Sequence, residues 1–522
     1  MNRRELIRLA TLSAGLHALS HRAYSQIPIK TNPFKLGVAS GSPTPDGVVL
    51  WTKLVSDSLL GWGDPTIEVT WQVAHDEQFE RISQSGTATA LAQLGYAVHA
   101  ELRGLQADRW YFYRFVYGHG ANAQISDVGR TRTAPALGAP TNKLRFAFAS
   151  CQRWEHGHYA AYRQMVADQP DLIVFLGDYI YEYASPRTPN PSFPRSHNLR
   201  KAVNLADYRD RYALHKSDPL LQAAHRAAPW LITWDDHEVQ NDYANDVGED
   251  LPPELTDKAL FLERRAAAYQ AFYEHMPLPA SALVRGLAGL GHNDGVRVHQ
   301  RLAWGNLANF HILDCRQFRD YQACPKPNRG GSAMVLASQC EELKNPNRSI
   351  LGKPQEAWLA QGLAQDTTPW SVIAQSTLLT KLNGLAGQEP RIWTDGWEGY
   401  PFARQRFINA MQAQQNSHPI VLSGDVHLNV VADVEGVATE FCGTSISSQT
   451  NWHPEREPSF HANNPHFQYL NSDKRGYALA EVTPKLWTTT LMGVDDARDA
   501  SSASQVIAKF AVERGQITPA KM

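Results

Sequence analysis

Among the 522 residues there is no internal apolar run approaching the roughly 18 to 20 needed to span a membrane. The formal charge is only -2 at pH 7. The chain therefore has no basic stripe of the kind that grips nucleic acid, and no stable nucleic-acid complex is expected. No repeat or low-complexity segment interrupts the sequence. Cysteine is scarce, at five residues, which rules out a disulfide-dense miniature scaffold. What remains is a well-packed globular composition, 43% hydrophobic and 20% charged, too long for one ordinary core.

The first residues differ from the rest. Arg3 and Arg4 precede a modestly apolar run from Leu9 to Leu19, and Ala23-Tyr24-Ser25 offers a small-x-small cleavage pattern. Residues 1–25 resemble a twin-arginine export signal, implying the twin-arginine translocation machinery as a partner and a periplasmic or secreted destination. A short buried or interfacial helix starting in a basic patch is the plainer alternative. The cysteines agree with export. Cys324 and Cys340 flank a loop rich in Pro, Asn and Gly, where a bridge would contribute on the order of 3 kcal/mol. Cys315 and Cys442, in apolar contexts, read as buried small hydrophobes.

Two textures follow. From about residue 30 to 134, Val48–Trp51, Ile67–Val73 and Trp110–Tyr117 alternate with period two between turn signals, which predicts a small β-sandwich. A Pro- and Ala-rich linker spans Thr133–Pro140. From 143 to 495 strands alternate with helical stretches at Tyr159–Asp168, Leu205–His215, Thr256–His275, Glu356–Gln365 and Arg404–Gln414, as an α/β domain requires. Tyr477–Thr483, Trp487–Gly493 and Ile507–Glu513 return to strand character, so residues 496–522 are expected as a C-terminal strand and tail.

Four apolar runs end abruptly in residues that can ligate metal. They stop at Cys151; at Asp178, with Tyr181 three residues on; at Asp235-Asp236-His237-Glu238, with Asn241 behind; and at Asp425 and His427. Sites in open α/β sheets form beyond the carboxyl ends of strands, so these donors should converge. Asp178 in a Gly-Asp turn can bridge two cations. Thiolate and phenolate donors suit iron(III), while Asp and Asn oxygens suit a hard divalent ion such as calcium, magnesium or manganese. Paired cations activate water and clamp phosphoryl oxygens, and an uncoordinated His237 can protonate a leaving group or stabilise the developing charge. Singly, each residue has a bland alternative: a buried Cys, a turn or cap Asp, a packed Tyr, an acidic helix start, a satisfied core His. The conjunction carries the argument.

Phe148-Ala149-Ser150-Cys151-Gln152, Leu176-Gly177-Asp178-Tyr179-Ile180-Tyr181-Glu182, Trp234-Asp235-Asp236-His237-Glu238-Val239, Leu422-Ser423-Gly424-Asp425-Val426-His427 and Phe441-Cys442-Gly443-Thr444-Ser445-Ile446-Ser447-Ser448 resemble the PhoD-type alkaline phosphatases. The resemblance implies a metallophosphatase sandwich of two mixed β-sheets flanked by helices, behind a small N-terminal β-sandwich. It implies hydrolysis of phosphate monoesters and diesters at alkaline pH, by a metal-activated water or oxide near Asp178. By analogy Cys151, Tyr181, Asp178 and His427 would hold iron, with Asp178, Asp236, Asn241 and Asp425 around calcium. His237 matches the histidine placed next to substrate.

Other segments carry open readings. Arg316 and Arg319 end another apolar run and are candidates to bind substrate phosphate; Arg316 could equally pair with Asp314 or Glu398. Trp393–Tyr400 could wall the site or pack on itself. Some relatives close the site with a C-terminal helix, whereas this tail reads as strand. Two rival functions are a secreted binding protein and an iron-dependent redox enzyme on the same donors. The Asp and Asn donors favour redox-silent hydrolysis over the latter.

Overall fold

A computed structural model describes residues 31–522, except 57–62, 64, 189, 284–295, 383–388 and 415. The expected export signal lies outside the described residues.

Phe146 and Phe148 point to one side of the strand Leu144–Ala149, and Ala147 and Ala149 to the other. That period-two alternation builds the whole architecture. Phe146, Phe148, Leu172, Val174 and Leu231 from one sheet meet Phe310, Val372, Ile420, Leu422 and Phe441 from a second. Ile173, Phe175, Trp230 and Ile232 on the outer face pack beneath Tyr162, Tyr208, Tyr212 and Phe272 from helices. The second sheet's outer face, with Ile373 and Val421, is covered by Leu359, Leu363, Phe407 and Met411 of helices Lys353–Gln365 and Pro401–Gln412. Two sheets face each other and helices cover both outsides.

The first sheet has ten strands. Its centre is parallel: Leu144–Ala149, Leu172–Phe175 and Trp230–Ile232 lie side by side. Arg475–Val482, Leu486–Val494 and Ser504–Glu513 extend it antiparallel on one side. The seven-stranded second sheet is parallel through Ala308–Ile312, Trp370–Ala374, His418–Ser423 and Ala438–Cys442.

Hydrogen bonding crosses two of the expected domain boundaries. The strands Val38–Thr44, Gly47–Lys53 and Ala97–Leu102 do form one face of an N-terminal sandwich, against a sheet of Ile82–Leu91, Thr66–Ala74 and Trp110–Tyr117. They also continue the ten-stranded sheet, because Gly41 pairs in parallel with Trp230. A Cβ at Gly41 would lie 2.7 Å from the Pro277 carbonyl oxygen and 2.8 Å from that of Trp230; the missing side chain permits the junction. The tail is not separate either, since Ser504–Glu513 and Ala520–Lys521 form the far edge of the same sheet. After Glu457–Asn463 the described residues contain no helix, so no C-terminal helical lid is present among them.

Helix starts follow their caps. Asn204 and Asp257 accept from the third residue of Leu205–Lys216 and Lys258–His275. Asp218 and Pro219 open a further helix, Pro219–Ala227, that periodicity did not reveal. Cys324 and Cys340 are disulfide-bonded, while Cys151, Cys315 and Cys442 are free and buried. No helix among the described residues is long and apolar enough to cross a membrane.

Candidate metal centre

At three of the four strand ends carrying donors the backbone turns into the left-handed region. Cys151 has φ 59°, Asp178 58°, Asp425 66° and His427 56°. Non-glycine residues adopt this region reluctantly, and such strain collects at functional sites because the surroundings enforce it. Here the enforcement is visible. The Cys151 and Gln152 amides donate to the Gly177 and Asp178 carbonyls, both at 3.0 Å, and the Ser448 amide donates to the Cys151 carbonyl at 3.2 Å. Gly177, at φ 111°, cannot carry a side chain: its Cβ would lie 2.6 Å from the Asp235 amide nitrogen.

These turns gather two donor groups. The Cys151 thiol, an Asp178 carboxylate oxygen and a His427 ring nitrogen lie within 4.8 Å of one another, as do donor atoms of Asp178, Asp236 and His237. The Tyr181 hydroxyl joins the first group, 2.8 Å from Asp178 Oδ2 and 3.2 Å from His427 Nε2. Asp178 belongs to both groups, and its Oδ1 is buried without a hydrogen-bond partner. Asp236 Oδ2 accepts from the Asp242 amide at 2.7 Å, leaving Oδ1 with only the Arg316 guanidinium at 3.7 Å. His427 Nδ1 lies 2.7 Å from the Gln449 carbonyl oxygen. That contact requires a proton on Nδ1 and leaves Nε2 as a lone-pair donor, the arrangement of metal-bound imidazoles.

Asp425 and Asn241 stand beside these groups rather than in them. Asp425 Oδ2 accepts from Thr377 at 2.8 Å. Asn241 Nδ2 donates to Glu249 at 3.0 Å, and its amide donates to Glu182 at 2.9 Å.

The electrostatics fit cations. Burial pushes the Asp178 carboxyl well above the usual range; His237 opposes this, while Asp236, Asp235 and Glu238 reinforce it. Burial, Asp235 and Asp236 do the same to Asp425. The Cys151 thiol and Tyr181 phenol are pushed up by burial and then by Asp178. His427 is held down to about 3 by burial and Arg475, hence neutral. For His237, burial disfavours the charge, but Asp236, Asp178 and Glu182 outweigh it. So many buried acids cannot all ionise together without positive charge among them. The Asp178 carboxylate, set among a thiol, a phenol and a neutral imidazole and with one oxygen unpartnered, supplies the place for that charge.

Several residues sit elsewhere than the motifs suggested. Arg316 and Arg319 do not face an opening. Arg316 Nε binds Asp235 at 2.6 Å and its Nη1 binds Asp395 at 2.8 Å; Arg319 Nη1 also binds Asp395 at 2.8 Å. Both are almost fully buried and spend their donors on carboxylates. Arg316 thus pairs with neither Glu398 nor the Asp314 side chain, which instead accepts from the Arg316 amide. Trp393–Tyr400 packs inward, with Asp395 and Trp397 buried. Glu182 and Glu238 serve the site without joining either donor group. Glu182 lies 2.8 Å from His237 Nδ1. Glu238 accepts from the amides of Asp178, Tyr179 and Asp235, at 3.2, 2.6 and 2.8 Å, tying two donor turns together. Their adjacency to Tyr181 and His237 was the available signal.

The "PhoD-like phosphatase" family model matches residues 146–491, and the "PhoD-like phosphatase, N-terminal domain" model matches residues 20–135. Alkaline phosphatase D of Bacillus subtilis (strain 168) is 40% identical over 527 aligned positions, which cover 98% of this chain and 86% of that protein. A solved structure of PhoD superposes with TM-score 0.85 at 39% identity, covering 95% of this chain and 93% of that one. A purple acid phosphatase from yellow lupin (Lupinus luteus) seeds, at 12% identity and TM-score 0.55, shares the fold over 92% of this chain and 74% of its own.

Proposed function

The chain belongs to the PhoD-like phosphatase family, and from that premise we propose that it is an exported hydrolase of phosphate monoesters and diesters working with iron(III) and calcium. That it is a phosphatase of the metallophosphatase fold follows from the family itself. The metals, the residue roles and the export route are the proposal. Its chief support is Asp178, whose unpartnered Oδ1 and membership of both donor groups suit a bridging carboxylate.

In this reading Cys151, Tyr181, Asp178 and His427 hold iron(III). Asp178, Asp236, Asn241 and Asp425 hold calcium or another hard divalent ion. When bound, the metal pair supplies the Lewis acidity that activates water for in-line attack and neutralises charge building on phosphorus. The rest falls to the chain. Glu182 accepts from His237 Nδ1 at 2.8 Å, which aims Nε2 outward with its proton toward the leaving oxygen. Glu238 locks the turns bearing Asp178 and Asp235. Arg316 and Arg319 act as positioning residues: through Asp395, Asp235 and Asp236 they balance the carboxylates behind the site without meeting substrate.

The reading is tested on the purified, exported protein by metal analysis alongside hydrolysis of a chromogenic phosphodiester and monoester. Iron and calcium should be present, and chelation should abolish turnover until calcium returns. An active protein free of metal would overturn it. Replacing Arg3 and Arg4 by lysine and following accumulation of the unprocessed chain tests the twin-arginine route.

A further inference from the structure

The loop closed by Cys324 and Cys340 lies directly over the segment that carries Asn241. The Gly330 amide donates to the Glu249 carbonyl at 3.1 Å, and Arg329 Nη2 reaches Glu249 Oε2 at 2.9 Å. The Ser332 amide and hydroxyl both donate to Asp242 Oδ2, the amide at 3.1 Å. The approach is so close that a Cβ at Gly330 would collide with the Gly248 carbonyl, and one at Gly331 would lie 2.8 Å from Glu249 Cβ. The adjacent glycines Gly330 and Gly331 are thus a packing requirement of the loop. The disulfide pins both ends of the strap, at a Cα–Cα distance of 5.9 Å.

What the strap holds is chemically specific. Glu249 Oε2 accepts from Asn241 Nδ2 at 3.0 Å. A carboxylate only accepts, so the Asn241 carboxamide must turn its NH2 to Glu249 and its carbonyl oxygen the other way. Hard divalent cations bind the oxygen of a carboxamide and not its nitrogen. Asp242, held by Ser332, donates its amide to Asp236 Oδ2 and leaves Asp236 Oδ1 without a hydrogen bond. We propose that Glu249, clamped by the disulfide-closed strap 324–340, is a positioning residue that fixes the ligating face of Asn241 and so sets the affinity of the divalent half of the centre. The proposal rests on the assignment of Asn241 and Asp236 to that ion.

The test uses the full, iron-loaded protein and titrates calcium chloride by calorimetry. Glu249→Gln can accept or donate, so it no longer dictates the carboxamide's orientation. Calcium affinity should fall roughly tenfold or more, the range typical of lost supports behind metal ligands. Iron per chain and its ligand-to-metal absorption band should stay unchanged. Glu249→Asp should recover part of the affinity. Cys324→Ser/Cys340→Ser should weaken calcium in the same direction. Asn241→Ala separates the outcomes. If it loses calcium while Glu249→Gln binds as tightly as the parent, the positioning role is wrong and the ligand assignment stands. If Asn241→Ala itself binds calcium undiminished, the assignment falls and the positioning role with it.

Discussion

The two halves of the donor set are held by different means. Cys151, Tyr181 and His427 stand at strand ends or in the turns beyond them, and their backbone neighbours hydrogen-bond across the central sheets. Asp236 and Asn241 sit on a loop whose shape depends on side-chain contacts to Glu182, Glu249 and a strap more than 80 residues away in sequence. The first half inherits the rigidity of a packed core; the second depends on a few hydrogen bonds at the surface of that core. On the proposed assignment, a trivalent-ion site built into strand ends and a divalent site completed on a loop by Asp236 and Asn241 would share one carboxylate, Asp178, yet fail independently.

Removing the shared group should disable both halves at once. Asp178→Asn should lose both ions and several kcal/mol of transition-state stabilisation, about 10³-fold or more in kcat/KM, read by steady-state kinetics with metal analysis. Cys151→Ser and Asn241→Ala should separate the halves: the first should lose the iron-thiolate colour, while the second keeps the colour and weakens calcium binding. Gly177→Ala attacks the rigid half through its backbone. With φ 111° and a Cβ 2.6 Å from the Asp235 amide nitrogen, it should cost about 2–4 kcal/mol of stability in urea denaturation.

A pH experiment probes both halves together. Burial pushes Glu238 and Asp242 up to about 7 and Asp235 to about 6. A carboxyl whose folded pKa exceeds its unfolded value stabilises the fold while protonated. That contribution is complete below about pH 4 and is lost as pH rises to about 7. The metal-free protein should therefore lose stability between about pH 4 and 7, measured by urea midpoints, and bound cations should flatten the slope. The smallest effect belongs to Arg329→Met. The Arg329 side chain is 48% exposed, so stability should change by no more than about 0.5 kcal/mol, with calcium affinity weakened only a few-fold by titration.

Much of the fold was readable because strands and helices here obey local rules. Phe146-Ala147-Phe148-Ala149 announces a strand buried on both faces, and Asn204 and Asp257 sit where helix caps belong. The donors were readable because apolar runs stop abruptly at Cys151, Asp178, Asp235 and Asp425. Pro219–Ala227 escaped because it follows another helix almost without a break, although Asp218-Pro219 marks its start. The continuity of the N-terminal strands with the catalytic sheet rests on Gly41 meeting Trp230. Arg316 finds Asp235 and Asp395 across 81 and 79 residues of chain. Such long-range pairings leave no local trace. Nor do the left-handed turns at Cys151, Asp178, Asp425 and His427, which tertiary contacts impose on residues that would not choose them.

The most direct test of a shared carboxylate between two unlike ions is anomalous diffraction from crystals of the iron- and calcium-loaded protein, collected at the iron edge. An iron peak should appear among Cys151, Tyr181 and His427, and a second, lighter ion on the opposite oxygen of Asp178 beside Asp236. A single ion, or two ions neither of which touches Asp178, would contradict a shared carboxylate.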